Sequence, residues 1–229
     1  SEISAETKIP APFLMDTVNA GASLYVSLPD GTNRCIRDVA KWTLFERAAI
    51  NGAALGRETP GALAETLNLA LNVSKGESLL LMRYGKIAAF HSDAGYRIIP
   101  ISEQIKITKE ELKKNFGNPV FVEGFNSHSF TKAIWQLPDV QEELCSKYAA
   151  ALRQSPAASR WDFSGLVPAV RLTSSDTATS AACLQPLFMT EKGGFIHIVD
   201  GLRVKHLRAG GNKADGLDLF EDLVTNELF

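Results

Sequence analysis

The sequence predicts an α+β fold: a mostly antiparallel sheet, or sheets, built from hairpins, with four or five helices packed on it. Short apolar runs are joined by tight turns such as Tyr84-Gly85 and Asp200-Gly201, which is hairpin rather than βαβ spacing. Amphipathic stretches of helical period interrupt these runs. With 229 residues, 45% of them hydrophobic, the chain is long enough to bury a sizeable core. One domain is expected, with a possible subdivision near 154–165.

Each element follows from a local signal. Residues 1–11 read as a polar arm. Residues 23–28 (SLYVSL) alternate as a short strand does, and Pro29-Asp30-Gly31 marks a turn. Residues 34–50 read as a helix with Ile36, Val39, Ala40, Leu44 and Ala48 near one face, closed by Asn51-Gly52. Thr59 suits the cap of a helix reaching Asn72, with Pro60 in its first turn. From Glu77 the period changes. Residues 78–83 and 86–91 read as strands, and 97–101 as a third in which Pro100 suggests an edge. Thr108 and Glu111 form a capping box for a short helix to Phe116, ended by Gly117. Strands are expected at 120–125 and 129–135. Pro138-Asp139 then opens a helix to Leu152 with a stripe of Val140, Leu144, Tyr148 and Ala151. Residues 154–165 are the linker candidate. Strands at 167–173 and 182–189 follow, then a turn at 191–194, a hairpin of 195–199 with 202–206 around Asp200-Gly201, and a helix at 214–228.

Charge and composition exclude several classes. The net charge of −2 gives no global basic excess of the kind a duplex-binding protein uses to neutralise phosphates. A helix-turn-helix is disfavoured because the helix after Thr59 carries no Lys or Arg before Lys75, and a recognition helix needs donors. No phosphate loop of the GxxxxGK[ST] kind occurs. Cys35, Cys145 and Cys183 are widely spaced, without a CxxC pair, and read as core residues of a reducing, cytoplasmic compartment. No apolar run approaches the length of a membrane span, and the first residues lack the pattern of a signal peptide. No cofactor is expected.

Three polar clusters follow strands: His91-Ser92-Asp93, Asn126-Ser127-His128-Ser129 and Ser174-Ser175-Asp176. If they converged, Ser174 or Ser175 would serve as nucleophile, His128 as base and Asp93 or Asp176 as its orienter. Against this, no GxSxG elbow or Gly-rich oxyanion loop accompanies the serines, and Ser, Thr and Asp are standard turn residues. With Asp200-Gly201 as a two-residue turn, His197 and His206 become diagonal neighbours and weak metal-ligand candidates that lack a third ligand. Lys106, Lys109, Lys113 and Lys114, together with Arg203, Lys205 and Arg208, are the candidates for an anionic groove. Tyr84, Tyr96 and Trp135 are candidates for base stacking.

The order LLLMRYGKIAAFHSD, FVEGFNSHSFTKAIWQLPD, VPAVRLTSSDTATSAACLQPLF, then a hairpin, resembles a phage- and plasmid-related bacterial family described only as a domain of unknown function. The similarity spans roughly 78–206. Where family members often read Ser-His-Asp-Gly, this chain has Ser174-Ser175-Asp176-Thr177 and lacks the His and the Gly. The resemblance implies a mobile-element setting and transfers no activity or site residue. The expected function is a non-enzymatic accessory binding protein acting on single-stranded nucleic acid or on a host nucleic-acid machine. Alternatives are an inhibitor of a host defence system acting by protein–protein binding, and a hydrolase using a Ser/His/Asp cluster. Homo-oligomerisation is open.

Overall fold

The computed structural model describes residues 5–10, 14–16, 24–55, 58–73, 77–92, 96–97, 99–127, 129–153, 165–177, 179–197, 201–206 and 216–226. The protein has an α+β fold with antiparallel sheets. The backbone clusters into two compact units, Ser1–Arg97 with Leu207–Asn212, and Ile98–His206 with Lys213–Phe229. The linker candidate at 154–165 lies, but for Gly165, outside the described residues.

The first unit contains β1 (Ala5–Pro10), β2 (Leu14–Asp16), β3 (Tyr25–Ser27), β4 (Asn33–Cys35), α1 (Lys41–Arg47), α2 (Gly52–Leu55), α3 (Pro60–Leu71), β5 (Glu77–Arg83) and β6 (Lys86–Ser92). They form two antiparallel sheets, β1-β5-β6 and β2-β3-β4. The polar arm is therefore partly a strand: β1 lies along β5, with Lys8 opposite Leu79. The helix expected at 34–50 starts later than predicted, because Arg34 and Cys35 pair with β3 instead. A single 3₁₀ turn at Asp38–Ala40 leads into α1. Thr43 ties α1 to the sheet, its buried hydroxyl donating to the Ala40 carbonyl at 2.9 Å and accepting the Phe90 N–H at 2.9 Å. The Tyr84-Gly85 turn is as predicted, both residues having positive φ (54° and 70°), the requirement of a type I′ hairpin.

The second unit contains α4 (Ile101–Phe116), β7 (Val120–Asn126), β8 (Thr131–Gln136), α5 (Gln141–Leu152), β9 (Val167–Ser174), β10 (Ala182–Met189), β11 (Phe195–His197), β12 (Leu202–Val204) and α6 (Gly216–Asn226). The sheet order is β11-β10-β9-β8-β7, with β12 also on β10. Three sequence expectations fail here. The described residues of 97–101 form no strand: Pro100 precedes a helix that starts at Ile101, and Thr108 is buried in its middle rather than capping it. Pro100 and the Ile-rich run after it look strand-like locally, but Ile105 and Leu112 recur at helical spacing in the core beneath α4. Nor, among the described residues, do 195–197 and 202–206 pair with each other. Leu187 faces His197 and Ala182 faces Val204, so both short strands lie on the one long strand β10.

Pairing registers sort the sheet's side chains between its faces. Ala133, Trp135, Val170, Leu172, Ala182, Leu184 and Val204 form one core with Leu112 of α4 and Phe220, Leu223 and Val224 of α6. Ile134, Ala169, Leu187 and Met189 form a smaller cluster from the alternate positions. The helix α4 ends at Gly117, whose φ of 85° only glycine adopts readily. A Cβ there would lie 2.4 Å from Asp139 Oδ2, the atom that accepts the Asn118 N–H at 2.9 Å. Gly117→Ala is expected to lower unfolding free energy by about 1–3 kcal/mol. Urea denaturation measures this, and an unchanged midpoint would show that the α4–β7 connection does not depend on the glycine.

Candidate functional site

Two of the three polar clusters meet, and their chemistry is that of a turn. Thr131 at the start of β8 pairs with Ser174 at the end of β9. Thr179 Oγ1 donates to the Ser129 carbonyl, which links the 174–180 turn to the 126–130 turn. Ser175 is fully buried, and its Oγ accepts the N–H groups of Thr177 and Thr179, both at 3.2 Å. The same oxygen shares hydroxyl contacts with Thr177 Oγ1 (3.1 Å) and Thr179 Oγ1 (2.8 Å). A serine so engaged holds a loop together rather than presenting a nucleophile. Ser174 is also fully buried, on the strand itself. Asp176 is half-buried in the turn. His128 and Asp93 lie outside the described residues, and the third cluster belongs to the first unit, where His91 stacks on Tyr96 at 4.2 Å.

The histidine pair dissolves with the predicted hairpin. The positions of β10 opposite His197 and Val204 are five residues apart (187 − 182), roughly 17 Å along a strand, and on alternate faces. His197 is exposed and His206 is buried. Among the described residues no group of three or more His, Cys, Asp and Glu is placed to hold a metal ion. The three cysteines are half-buried and unpaired by disulfides. The Cys145 thiol donates to the Leu166 carbonyl at 3.3 Å, and burial pushes its pKa up.

The basic candidates do not form one groove. Lys106, Lys109, Lys113 and Lys114 are exposed on α4. Arg203 pairs with Cys183, one of the β10 positions that alternate with those facing α4 and α6. Lys205 is exposed beyond β12, and Arg208 lies outside the described residues. Between α4 and β12 packs α6, which exposes Asp218, Glu221 and Asp222. Among the stacking candidates Trp135 is buried in the second unit. In the first, Tyr96 is buried and Tyr84 exposed.

What stands out is β7. It is the terminal strand of its sheet, and six of its seven residues are exposed. Phe121 is 59% and Phe125 53% exposed, and Val120 and Val122 are exposed as well. Its one charge, Glu123, is ion-paired to Lys132 of β8. Edge strands are usually blunted by lysines or proline, and β7 has neither within its span. A bulge between Phe121 and Glu123 shifts the register, so that Phe121 faces Trp135 and Gly124 faces Ala133. Phe121 thus sits edge-on to Trp135 with ring centroids 6.0 Å apart. Its ring tip overhangs Gly124, where a Cβ would come within 2.7 Å of it.

Beside the strand runs a groove of about 510 Å³. Ile101, Ile105 and Lys109 of α4 line one side, and Phe121, Gly124, Ala133 and Trp135 line the sheet side. A second cavity, about 390 Å³, is lined by Leu144, Tyr148, Pro168, Pro186 and Phe188 among others. Lys147 is its one charged lining residue and is ion-paired to Glu143. The sequence marks β7 as a strand but not as an exposed one. The available signal is that VFVEGFN does not alternate, so neither face is assigned to a core.

No protein-family model matches the chain, and no curated protein or solved structure matches it significantly.

Ser175→Ala is expected to lower stability by about 1–2 kcal/mol in chemical denaturation, since the buried Thr177 amide and the partly buried Thr179 amide lose their acceptor. A fluorophosphonate is expected to leave the protein unlabelled. A mass-spectrometric adduct on Ser174 or Ser175 would restore the hydrolase reading.

Proposed function

We propose that the protein is a non-enzymatic binding protein whose second unit takes an extended polypeptide segment on the β7 edge. One observation carries this reading: β7 ends its sheet with its outer backbone unpaired among the described residues and with Val120, Phe121, Val122 and Phe125 exposed along it. Strand addition supplies main-chain hydrogen bonds along such an edge, and pockets for alternate side chains supply specificity. The groove beside Phe121 provides a place for those side chains. In the mobile-element setting that the resemblance implies, the partner would be a host protein, as in the defence-inhibitor alternative. Nucleic acid is the weaker fit, because the basic residues are divided between α4 and β12.

Selection of a random-peptide display library on the intact protein tests the reading. Enriched peptides are expected to alternate apolar residues and to lose about 2 kcal/mol or more of binding when Phe121→Asp and Phe125→Asp are combined. Enrichment of sequences without alternation, or binding indifferent to both substitutions, would count against it. A dimer that forms with rising concentration and disappears in the same variant would make a second copy the partner.

A further inference from the structure

The lysines of α4 give the docking edge a chemical preference. Lys109 lines the groove, and Lys106 and Lys113 lie three residues before and four after it, on the same helical face. All three are exposed, and among the described residues none enters an ion pair, whereas Lys114 is held by Glu111 at 3.2 Å. Glu110 is exposed four residues after Lys106 and three before Lys113, and Glu103 is half-buried three residues before Lys106, so the face is mixed but carries three cations to one exposed acid. On the sheet side, Lys132 is neutralised by Glu123. The uncompensated charge at the groove is therefore positive and comes from α4.

The apolar part of the groove is equally specific. Gly124 and Ala133 are cross-strand partners and the smallest side chains of the lining, and Trp135 and Phe121 stand beside them. The Phe121 ring tip fills the space over the glycine, so a large apolar side chain is seated there when that ring swings aside.

We infer that the segment captured at β7 is acidic: extended, with an apolar anchor beside Gly124 and carboxylates that pass Lys106, Lys109 and Lys113. This rests on the proposed docking at β7 and specifies its partner. The strand edge and the anchor supply affinity, and the lysines supply selection and a faster encounter.

Two short synthetic peptides with the same alternating apolar core around a tryptophan, one flanked by glutamates and one by lysines, are titrated into the whole protein and followed by amide chemical shifts. A single-stranded oligothymidylate is titrated in parallel. The acidic peptide is expected to bind roughly tenfold tighter than the basic one at low ionic strength, with the gap closing as salt rises. The preference should reverse when Lys106→Glu, Lys109→Glu and Lys113→Glu are combined. All three residues are exposed, so the fold should be retained. Gly124→Ala meets only the tip of an exposed ring and should weaken both peptides without changing their ratio. Equal binding of the two peptides, or a ratio unmoved by the charge reversal, overturns the acidic preference and leaves docking at β7 intact. Binding of neither peptide overturns the docking reading and this inference together. Oligothymidylate binding that is lost in the lysine variant while neither peptide binds assigns the groove to nucleic acid instead.

Discussion

The register of β9 between β8 and β10 is the constraint on which the second unit depends. Trp135 faces Val170, Val170 faces Pro186, Leu172 faces both Ala133 and Leu184, and all of these but Pro186 stack into the core beneath α4 and α6. Because side chains alternate across a strand, a slip of one residue would turn that whole set to the other face. The same register decides the polar residues. It places Ser174 at the buried end of β9 opposite Thr131, and so fastens the turn that Ser175 organises. It also sends Arg203 to the face opposite the helices. Ser174 is buried because β9 points it to the same face as Val170 and Leu172.

A ladder that is satisfied inside must end somewhere. On the β10 side it ends in two three-residue strands, too short to offer a long edge. On the other side it ends in β7, seven residues long. The bulge at Val122 is the one device that interrupts it, and its effect is to bring Phe121 and Gly124 to the same face rather than to hide either. Burying a side chain such as phenylalanine or valine is worth about 1.5–3 kcal/mol, so four exposed together are a large driving force for covering this edge. The free surface is also local. It adjoins α4, whose Lys106, Lys109 and Lys113 enter no ion pair among the described residues, so that shape and charge meet there in one site.

Legibility from sequence divides by the range of the interaction. Turns whose geometry one residue requires were readable: Tyr84-Gly85 between two apolar runs, Gly117 after Phe116, and Thr59, whose Oγ1 accepts the Ala62 N–H. Asp200-Gly201 is as strong a local hairpin signal, yet its flanking runs both pair with β10, because that eight-residue strand offers a longer partner than either offers the other. The start of α4 is not legible because Pro100 among isoleucines resembles an edge strand, and only the core beneath it shows that Ile105 and Leu112 share a face. The lysines of α4 are legible as candidates for an anionic groove, but with Ile101 assigned to a strand and the helix begun at Thr108, the apolar wall of Ile101 and Ile105 beside Lys109 is not. Nor does sequence say that β7 lies at the end of the sheet, which is a property of all the other strands.

The choice between a polypeptide and a nucleic acid turns on what each ligand requires. A single strand of nucleic acid needs cations spaced along its backbone and aromatic faces for its bases. Three lysines on one helix meet a short stretch of that need, but the path beyond them runs into the acidic residues of α6 or across to another face of the sheet at Arg203. Stacking on Phe121 would also leave Val120 and Val122 uncovered, and their aliphatic side chains offer no aromatic face for a base to stack on. An added strand accounts for all of these features at once. It pairs the open backbone of β7, covers aliphatic and aromatic residues on both of its faces, and needs only a few carboxylates to complement Lys106, Lys109 and Lys113.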